Sequence, residues 1–371
     1  MKSYICAIGT ANPAHKIPQM QIAGFMAGAL QFDAANTRKL NALYRISGIE
    51  SRYTVLEDYS RANGDFEFFP NTAGLEPFPL VSQRMQAYRQ HALPLSLEAV
   101  RNCFEQVDAS DPRQKVTHLI TVSCTGMYAP GLDIELVEAL ELPSHTERTS
   151  VNFMGCYAAF NALKLADNIC KANAEANVLV VCTELCTLHF QKSVEHDHLV
   201  SNALFGDGAA AVWLSSKPQS GFNLAFEAFH CELVPSGKKD MAWHIGDFGF
   251  EMTLSAYIPE LIKKGIKQFA ERILDKLALK PEAINWFAIH PGGRKILEAI
   301  EQELGITKED NRFAYQVLRE FGNMSSVTVL FVLQKLLAEL KPENDGEHVL
   351  SFAFGPGLTM EAMLLKICHV R

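Results

Sequence analysis

The order strand, helix, turn, apolar helix, strand occurs twice in this chain, and that repetition limits the fold more than any other feature. In the first copy, HLITVSC (118–124) is followed by LDIELVEALEL (132–142), by Gly155 and Cys156 opening YAAFNALKLADNICKANA (157–174), and by NVLVVCTE (177–184). In the second, NWFAIH (285–290) is followed by ILEAIEQELG (296–305), by Gly322 and Asn323 ahead of VTVLFVLQKLLAELK (327–341), and by HVLSFAF (348–354). From Ser123 to Cys156 is 33 positions, and from His290 to Asn323 is also 33. The short β-branched runs, with AAAVWL (209–214), read as buried strands, and the longer segments carry helical periodicity. Their alternation predicts an α/β protein with buried sheets. Duplicated α/β units pack face to face about a pseudo-twofold axis, so equivalent positions meet near it. The spacing therefore predicts Cys156 beside Asn323. The halves divide as 1–215 and 216–371.

Length and composition narrow the function classes. The 371 residues amount to about two or three domain-sized units. Such a chain buries a large core without disulfides or metals. The net charge of −8 argues against a nucleic-acid binder driven by bulk charge. The start, MKSYICAIGT, lacks the apolar core of a signal peptide, and no run approaches the roughly 18 apolar residues of a membrane span. Nine scattered cysteines fit free thiols in a reducing cytoplasm. No cysteine or histidine set has zinc spacing. His196 and His198, in VEHDHLV, read as a solvated turn. Residues 60–94, rich in Phe, Pro, Gly and polar residues, read as an irregular surface excursion.

Three residues are candidates for chemistry. A cysteine in an apolar stretch is usually structural. Cys156, however, follows a glycine that permits a tight turn and opens a helix whose positive end stabilises a thiolate. His290 ends a strand before Pro291, Gly292 and Gly293, where a rigid scaffold presents a side chain at a loop. Asn323 has a plain alternative as a helix N-cap. Its repeat relation to Cys156 favours a place in the active site.

The motifs NFMGCYAAF, ALFGDGAAAV, AIHPGG, FGNMSS and AFGPGLTME, in this order between about residues 118 and 362, resemble those of the chalcone synthase-like type III polyketide synthases. IESRY (49–53) is also similar. The resemblance implies a thiolase fold, a duplicated five-layered αβαβα arrangement, a homodimer, and a Cys156–His290–Asn323 triad. It implies malonyl-CoA and acyl-CoA as substrates, with no carrier protein, metal or other cofactor. In such an enzyme Cys156 takes the starter acyl group, with His290 keeping it ionised. His290 and Asn323 stabilise the enolate of decarboxylating malonyl-CoA, each donor contributing about 3–4 kcal/mol.

Further positions carry over by resemblance. Phe205 matches an aromatic gatekeeper between CoA tunnel and cavity. Phe354, Gly355, Pro356 and Gly357 match the loop forming the active-site floor, and Ser325 a cavity wall. Cys124 stands where plant enzymes carry threonine, as a second reactive or an inert buried thiol. The chain also departs from the plant pattern. His189 occupies the place of a smaller cavity residue, and Met252 lies near a second gatekeeper, with Phe248 or Phe250 as alternatives. Of the CoA phosphate-gripping positions Lys39 matches, while Ala42 and Ile46 do not; Arg45 and Arg52 are the available substitutes. These departures point to a bacterial-type enzyme. Resorcinol, pyrone, phloroglucinol and naphthalene products all stay open. A single-condensation ketoacyl synthase III and a non-catalytic acyl-binding scaffold are the competing readings.

Overall fold

The computed structural model describes residues 2–371. The first half runs β1 (Tyr4–Ala11), β2 (His15–Pro18), α1 (Gln19–Ala29), α2 (Ala34–Ile46), β3 (Ser51–Thr54), α3 (Val81–Phe104), β4 (His118–Ser123), α4 (Leu132–Ala139), β5 (Glu147–Asn152), α5 (Ala158–Ala172), β6 (Asn177–Leu185), α6 (His196–Leu204) and β7 (Asp207–Ser215). The second runs β8 (Gly221–Leu233), β9 (Met241–Gly246), β10 (Gly249–Leu254), α7 (Ile258–Asp275), β11 (Ile284–Ile289), α8 (Arg294–Leu304), α9 (Arg312–Phe321), α10 (Thr328–Glu339), β12 (His348–Gly355) and β13 (Thr359–Val370). All the strands and helices expected from periodicity are present.

Side-chain alternation along the strands separates the layers. On β6, Val178, Val180 and Cys182 face a central core built around α5 and α10, while Leu179 and Val181 face an outer core with α1 and α3. On β12, Val349 and Ala353 face the same central core, whereas Leu350, Phe352 and Phe354 pack against α7, α8 and α9. Two helices between two sheets, with a helical layer outside each, is the duplicated αβαβα thiolase fold. The sheets are also joined along one edge. Tyr4 and Ile5 of β1 pair with Ala225 and Leu224 of β8, giving one nine-stranded order β11-β12-β13-β8-β1-β7-β6-β4-β5.

Two sequence expectations need correction. The excursion at 60–94 is irregular only as far as residue 80, because α3 begins at Val81 and runs 24 residues. Pro94 inside it, and the polar content of its start, hid the helix. Ala92, Leu95, Ser96, Ala99 and Cys103 still recur at helical spacing and are buried. His196 and His198 belong to α6 rather than to a solvated turn, with His198 half-buried and lining a cavity.

The repeat also has a different register from that suggested by spacing. Helices α5 and α10 begin at 158 and 328, an offset of 328 − 158 = 170. The counterpart of Cys156 is thus Ser326, and that of Gly155 is Ser325. Each pair sits in a single 3-10 turn ahead of its helix, Gly155–Tyr157 and Ser325–Val327. Gly155 and Ser325 both have positive φ, +78° and +50°. Asn323 lies three residues before its turn's centre, so it meets Cys156 as a neighbour across the axis and not as its equivalent.

Candidate active site

Cys156 is held by a turn that is closed on three sides. A Cβ on Gly155 would stand 2.2 Å from Pro356 Cδ, so only glycine fits beneath the turn between β12 and β13. A Cβ on Gly355 would lie 2.5 Å from the Tyr157 ring and 3.3 Å from the Cys156 nitrogen. Cys124 closes the third side: its sulfur accepts the Gly155 N–H at 2.9 Å. Burial holds the Cys124 thiol well above its ordinary range, so it is a neutral packing and acceptor group at rest.

The second half brings Asn323 to this turn, and the segment carrying His290 lies against Asn323. Asn323 Oδ1 and Nδ2 each lie 4.0 Å from Cys156 Sγ. The asparagine is fixed by its neighbours. Its N–H donates to Leu204 O at 2.9 Å, its carbonyl accepts from Gly206 at 2.9 Å, and its Oδ1 accepts from the Ser325 N–H at 2.8 Å. Its Nδ2 donates to Gly292 O at 3.5 Å, two residues beyond His290. His290 continues the β11 ladder through its own N–H to Phe352 O at 2.8 Å. Its imidazole is 1% exposed, and neither ring nitrogen has a hydrogen-bond partner. A buried imidazole with both nitrogens idle is costly unless a ligand supplies the partner.

Burial also sets the protonation states. It pushes the Cys156 thiol up to about 12, opposed by hydrogen bonds from Ser325 and Asn323. It pulls His290 down to about 3. Among the described residues no hydrogen bond joins the Cys156 thiol to the His290 imidazole. Burial thus disfavours both the ionised Cys156 thiol and the charged His290 imidazole. The Ser325 hydroxyl is directed to the Cys156 thiol, and Ser325 is not among the residues lining the Phe205 cavity.

Sequence reasoning passed over Glu184, the last acidic residue of β6. It is fully buried, and its carboxyl accepts from Cys124 N–H at 2.9 Å, Thr125 Oγ1 at 2.8 Å and Ser326 Oγ at 2.5 Å. Burial raises it to about 7 against those donors. A lone acid closing the apolar run NVLVVCTE was the available signal.

Phe205, His189 and Met252 come together around one cavity of about 40 Å³, with Cys186, Trp243 and Phe250. His189 is neutral: burial pulls it down to about 3, Nε2–H donates to Thr125 O at 2.7 Å, and Nδ1 accepts from Phe250 N–H at 3.0 Å. Of the alternative gatekeepers, Phe250 is buried in this wall and Phe248 is 44% exposed outside it. Phe354 departs from its expected role. Its side chain faces the outer core, while Gly355 and Pro356 touch the Cys156 turn. Arg52 is not a surface phosphate ligand either. It is 2% exposed, with Nε on Gln19 Oε1 at 2.8 Å and Nη1 on Phe205 O at 2.5 Å, so it braces the Phe205 backbone. Lys39 and Arg45 are exposed on α2. Among the described residues, no cluster of His, Cys, Asp or Glu could hold a metal ion, and no helix is long and apolar enough to cross a membrane.

Known proteins share this arrangement. Models for the N-terminal and C-terminal domains of chalcone and stilbene synthases match residues 1–218 and 226–368. Type III polyketide synthase A of Arabidopsis thaliana is 30% identical over 375 residues, covering 98% of this chain and 93% of that protein. A putative chalcone synthase of Bacillus subtilis is 31% identical over 376 residues, covering 98% of each. The probable polyketide synthase 1 of Dictyostelium discoideum is 30% identical over 372 residues, and the chain spans 11% of its length. Among solved structures, PKS-I of the brown alga Ectocarpus siliculosus superposes with a TM-score of 0.90 at 30% identity over 98% of both chains. The C-terminal type III polyketide synthase domain of a Dictyostelium type I/III hybrid gives 0.89 at 27% identity over 99% of both. With both domain models matched along nearly its whole length, the chain belongs to the chalcone and stilbene synthase family, the type III polyketide synthases.

Proposed function

We propose that this chain condenses malonyl-CoA iteratively onto an acyl-CoA starter carried on Cys156. What supports the reading is the Cys156 thiol 4.0 Å from the Asn323 amide, whose Nδ2 reaches the Gly292 carbonyl two residues from a buried His290 imidazole without hydrogen-bond partners. The His290 imidazole, with both nitrogens free, is the general base in this mechanism. It takes the thiol proton as sulfur attacks the starter thioester, and coenzyme A leaves as its thiol. Malonyl-CoA then binds with its thioester oxygen facing His290 and Asn323. The carboxylate leaves as carbon dioxide, and the electrons of the broken C–C bond flow into an enolate that the two groups stabilise as hydrogen-bond donors. The enolate carbon attacks the acyl-Cys156 carbonyl, the sulfur leaves, and the chain is two carbons longer.

Coenzyme A itself is the carrier in this reading, and no metal or other cofactor is used. Exposed Lys39 and Arg45 are the proposed contacts for its phosphates. We further propose a homodimer. Strand β5 ends the sheet with a free edge, and Met127 and Met154 beside it are 39% and 36% exposed. A cytoplasmic setting is supported by nine free cysteines. The test is mass spectrometry of products from labelled malonyl-CoA with short, long and aromatic starters, with Cys156→Ala as control. Products needing several extensions and absent in the variant are expected. Single-extension products that need a carrier protein would replace this reading with that of a ketoacyl synthase.

A further inference from the structure

Helix α6 ends beside Asn323, and the way its end is closed ties that residue to the first half. The last four carbonyls of an α-helix have no partner within it. Here Ser201 O accepts from the Phe205 N–H at 3.2 Å, and Ala203 O from the Gln19 amide at 2.8 Å. Asn202 O accepts from Arg52 Nη1 at 2.9 Å and from the Tyr44 hydroxyl at 3.2 Å. The same Nη1 holds Phe205 O, just beyond the helix. Leu204 O accepts from the Asn323 N–H at 2.9 Å, and the Gly206 N–H returns to Asn323 O at 2.9 Å. Arg52 and the Asn323 backbone thus share the end of one helix, where a cation also meets the negative end of the dipole.

The stem of Arg52 lies in a slot between two glycines. A Cβ on Gly322, which has φ +70°, would stand 2.9 Å from Arg52 Cγ and Cδ. One on Gly206 would stand 3.4 Å from Arg52 Cβ. The chain neighbours of Arg52 hold the residues ahead of Asn323. The Glu50 N–H donates to Arg319 O at 2.8 Å, Ser51 Oγ donates to Glu320 O at 3.2 Å, and the Tyr53 ring stacks on Phe321 at 5.6 Å. Residues 50–53 therefore grip residues 319–322, and the next residue is Asn323, with its amide 4.0 Å from Cys156 Sγ. Arg52 is buried, and its Nε is fixed on Gln19 Oε1 at 2.8 Å.

We propose that Arg52 is a positioning residue that holds the Asn323 amide in place for the malonyl-CoA enolate. The inference rests on the condensing-enzyme reading above. Arg52 touches no reacting atom in that reading. It acts through the end of α6 and through the Gly322 slot, from the first half onto a residue of the second. Its loss therefore falls on the step that uses the Asn323 amide, which is decarboxylation. Loading of Cys156, which uses His290, is spared.

The test measures the two steps apart in the unaltered chain, Arg52→Met, Asn323→Ala and the double variant. Release of labelled carbon dioxide from malonyl-CoA reads decarboxylation, and labelled acetyl trapped on Cys156 from acetyl-CoA reads loading. Methionine keeps a buried stem and removes every donor. Arg52→Met is expected to lower kcat for decarboxylation by about 10- to 100-fold, with KM and the loading rate within about threefold of the parent. On the Asn323→Ala background it should cost less than about threefold more, because the group it positions is already gone. Arg52→Lys keeps the charge and one point of contact, and should fall between parent and Arg52→Met. Should the methionine variant fail to fold, the lysine variant is judged by the same split. Equal losses in loading and decarboxylation, or an undiminished further loss on the Asn323→Ala background, would make Arg52 general scaffold and overturn the proposal alone. Absence of any malonyl-CoA decarboxylation by the unaltered chain overturns the condensing reading and this inference with it.

Discussion

The turns Gly155–Tyr157 and Ser325–Val327 occupy equivalent places in the two halves, yet their contents have diverged. Both carry a positive φ at the first residue and lead into a buried helix. In the first half the bare glycine is enforced by Pro356, and the next residue is the thiol. In the second, serine stands at the strained position and the next residue is Ser326, whose hydroxyl turns away to the Glu184 carboxyl. One copy of the turn presents a nucleophile. The other supports it, through Ser325 toward the thiol and Ser326 toward the acid beneath it. A duplicated scaffold has thus kept its backbone device twice and its reactive atom once.

The sharpest way to break this comparison is to remove each turn's central side chain. Cys156→Ala should abolish condensation, a loss of at least about 10³-fold, because the covalent step has no other nucleophile. Ser326→Ala should keep product formation within about tenfold, because its hydroxyl touches no reacting atom in the proposed mechanism. Steady-state product assays read both. Comparable losses would mean that the two turns share the chemistry.

The next effect concerns the groups that the second half extends across the axis. Asn323→Ala should lower malonyl-CoA decarboxylation by about 10²–10³ in kcat, with little change in KM, as expected for a donor that acts on developing charge. His290→Ala should do the same and also slow acylation of Cys156. Release of labelled carbon dioxide, measured apart from acyl loading, separates the two roles. If His290→Ala slows loading no more than Asn323→Ala does, the imidazole is not the base.

How much of this was legible beforehand follows from which forces act locally. Strands β4, β6, β7 and β12 are largely apolar runs buried on both faces, and β11 is buried over its last three residues, so the sequence itself displays them. Helix α3 was hidden because its periodicity is interrupted by Pro94, which tertiary packing tolerates. The site divides in the same way. Cys156, His290 and Asn323 were visible because glycine-marked turns surround them and the two copies repeat. Glu184 and Trp243 were not, since their meaning lies in contacts 60 and 119 positions away in the chain, to Cys124 N–H and Cys124 O. The exchange of partner from Asn323 to Ser326 escaped for another reason. Equal counts between landmarks do not reveal an insertion in one copy.

Backbone substitution sharpens the comparison at lower cost. Gly155→Ala should destabilise the fold by about 2–4 kcal/mol, combining a positive φ with a clash against Pro356. Ser325→Gly should change stability by less than about 1 kcal/mol, since relief of its φ offsets the added freedom of the unfolded chain. Urea denaturation at one pH measures both. Equal effects would show that Pro356 does not press on one turn alone.

The smallest expected effect is the most specific, because it depends on pH. Glu184 is raised from 4.5 to about 7 by burial, and the Ser326 hydroxyl is one of the donors that favour its charged form. A raised acid contributes stability that is fully present below its unfolded value and lost as pH climbs through the folded one. Removing a donor from the charged form raises the folded value further, which deepens that loss. Ser326→Ala should therefore cost little at pH 5, where Glu184 is protonated in both folded proteins, and about 1 kcal/mol more at pH 8, where the parent carboxylate is charged and the variant lacks its Ser326 donor. The double variant with Glu184→Gln should abolish the pH dependence of the difference, because nothing at that site then titrates. Unfolding free energies at the two pH values, for all four proteins, decide it. A deficit equal at pH 5 and pH 8 would mean that Ser326 only fills space, and the second turn would then have lost its electrostatic part in holding the first.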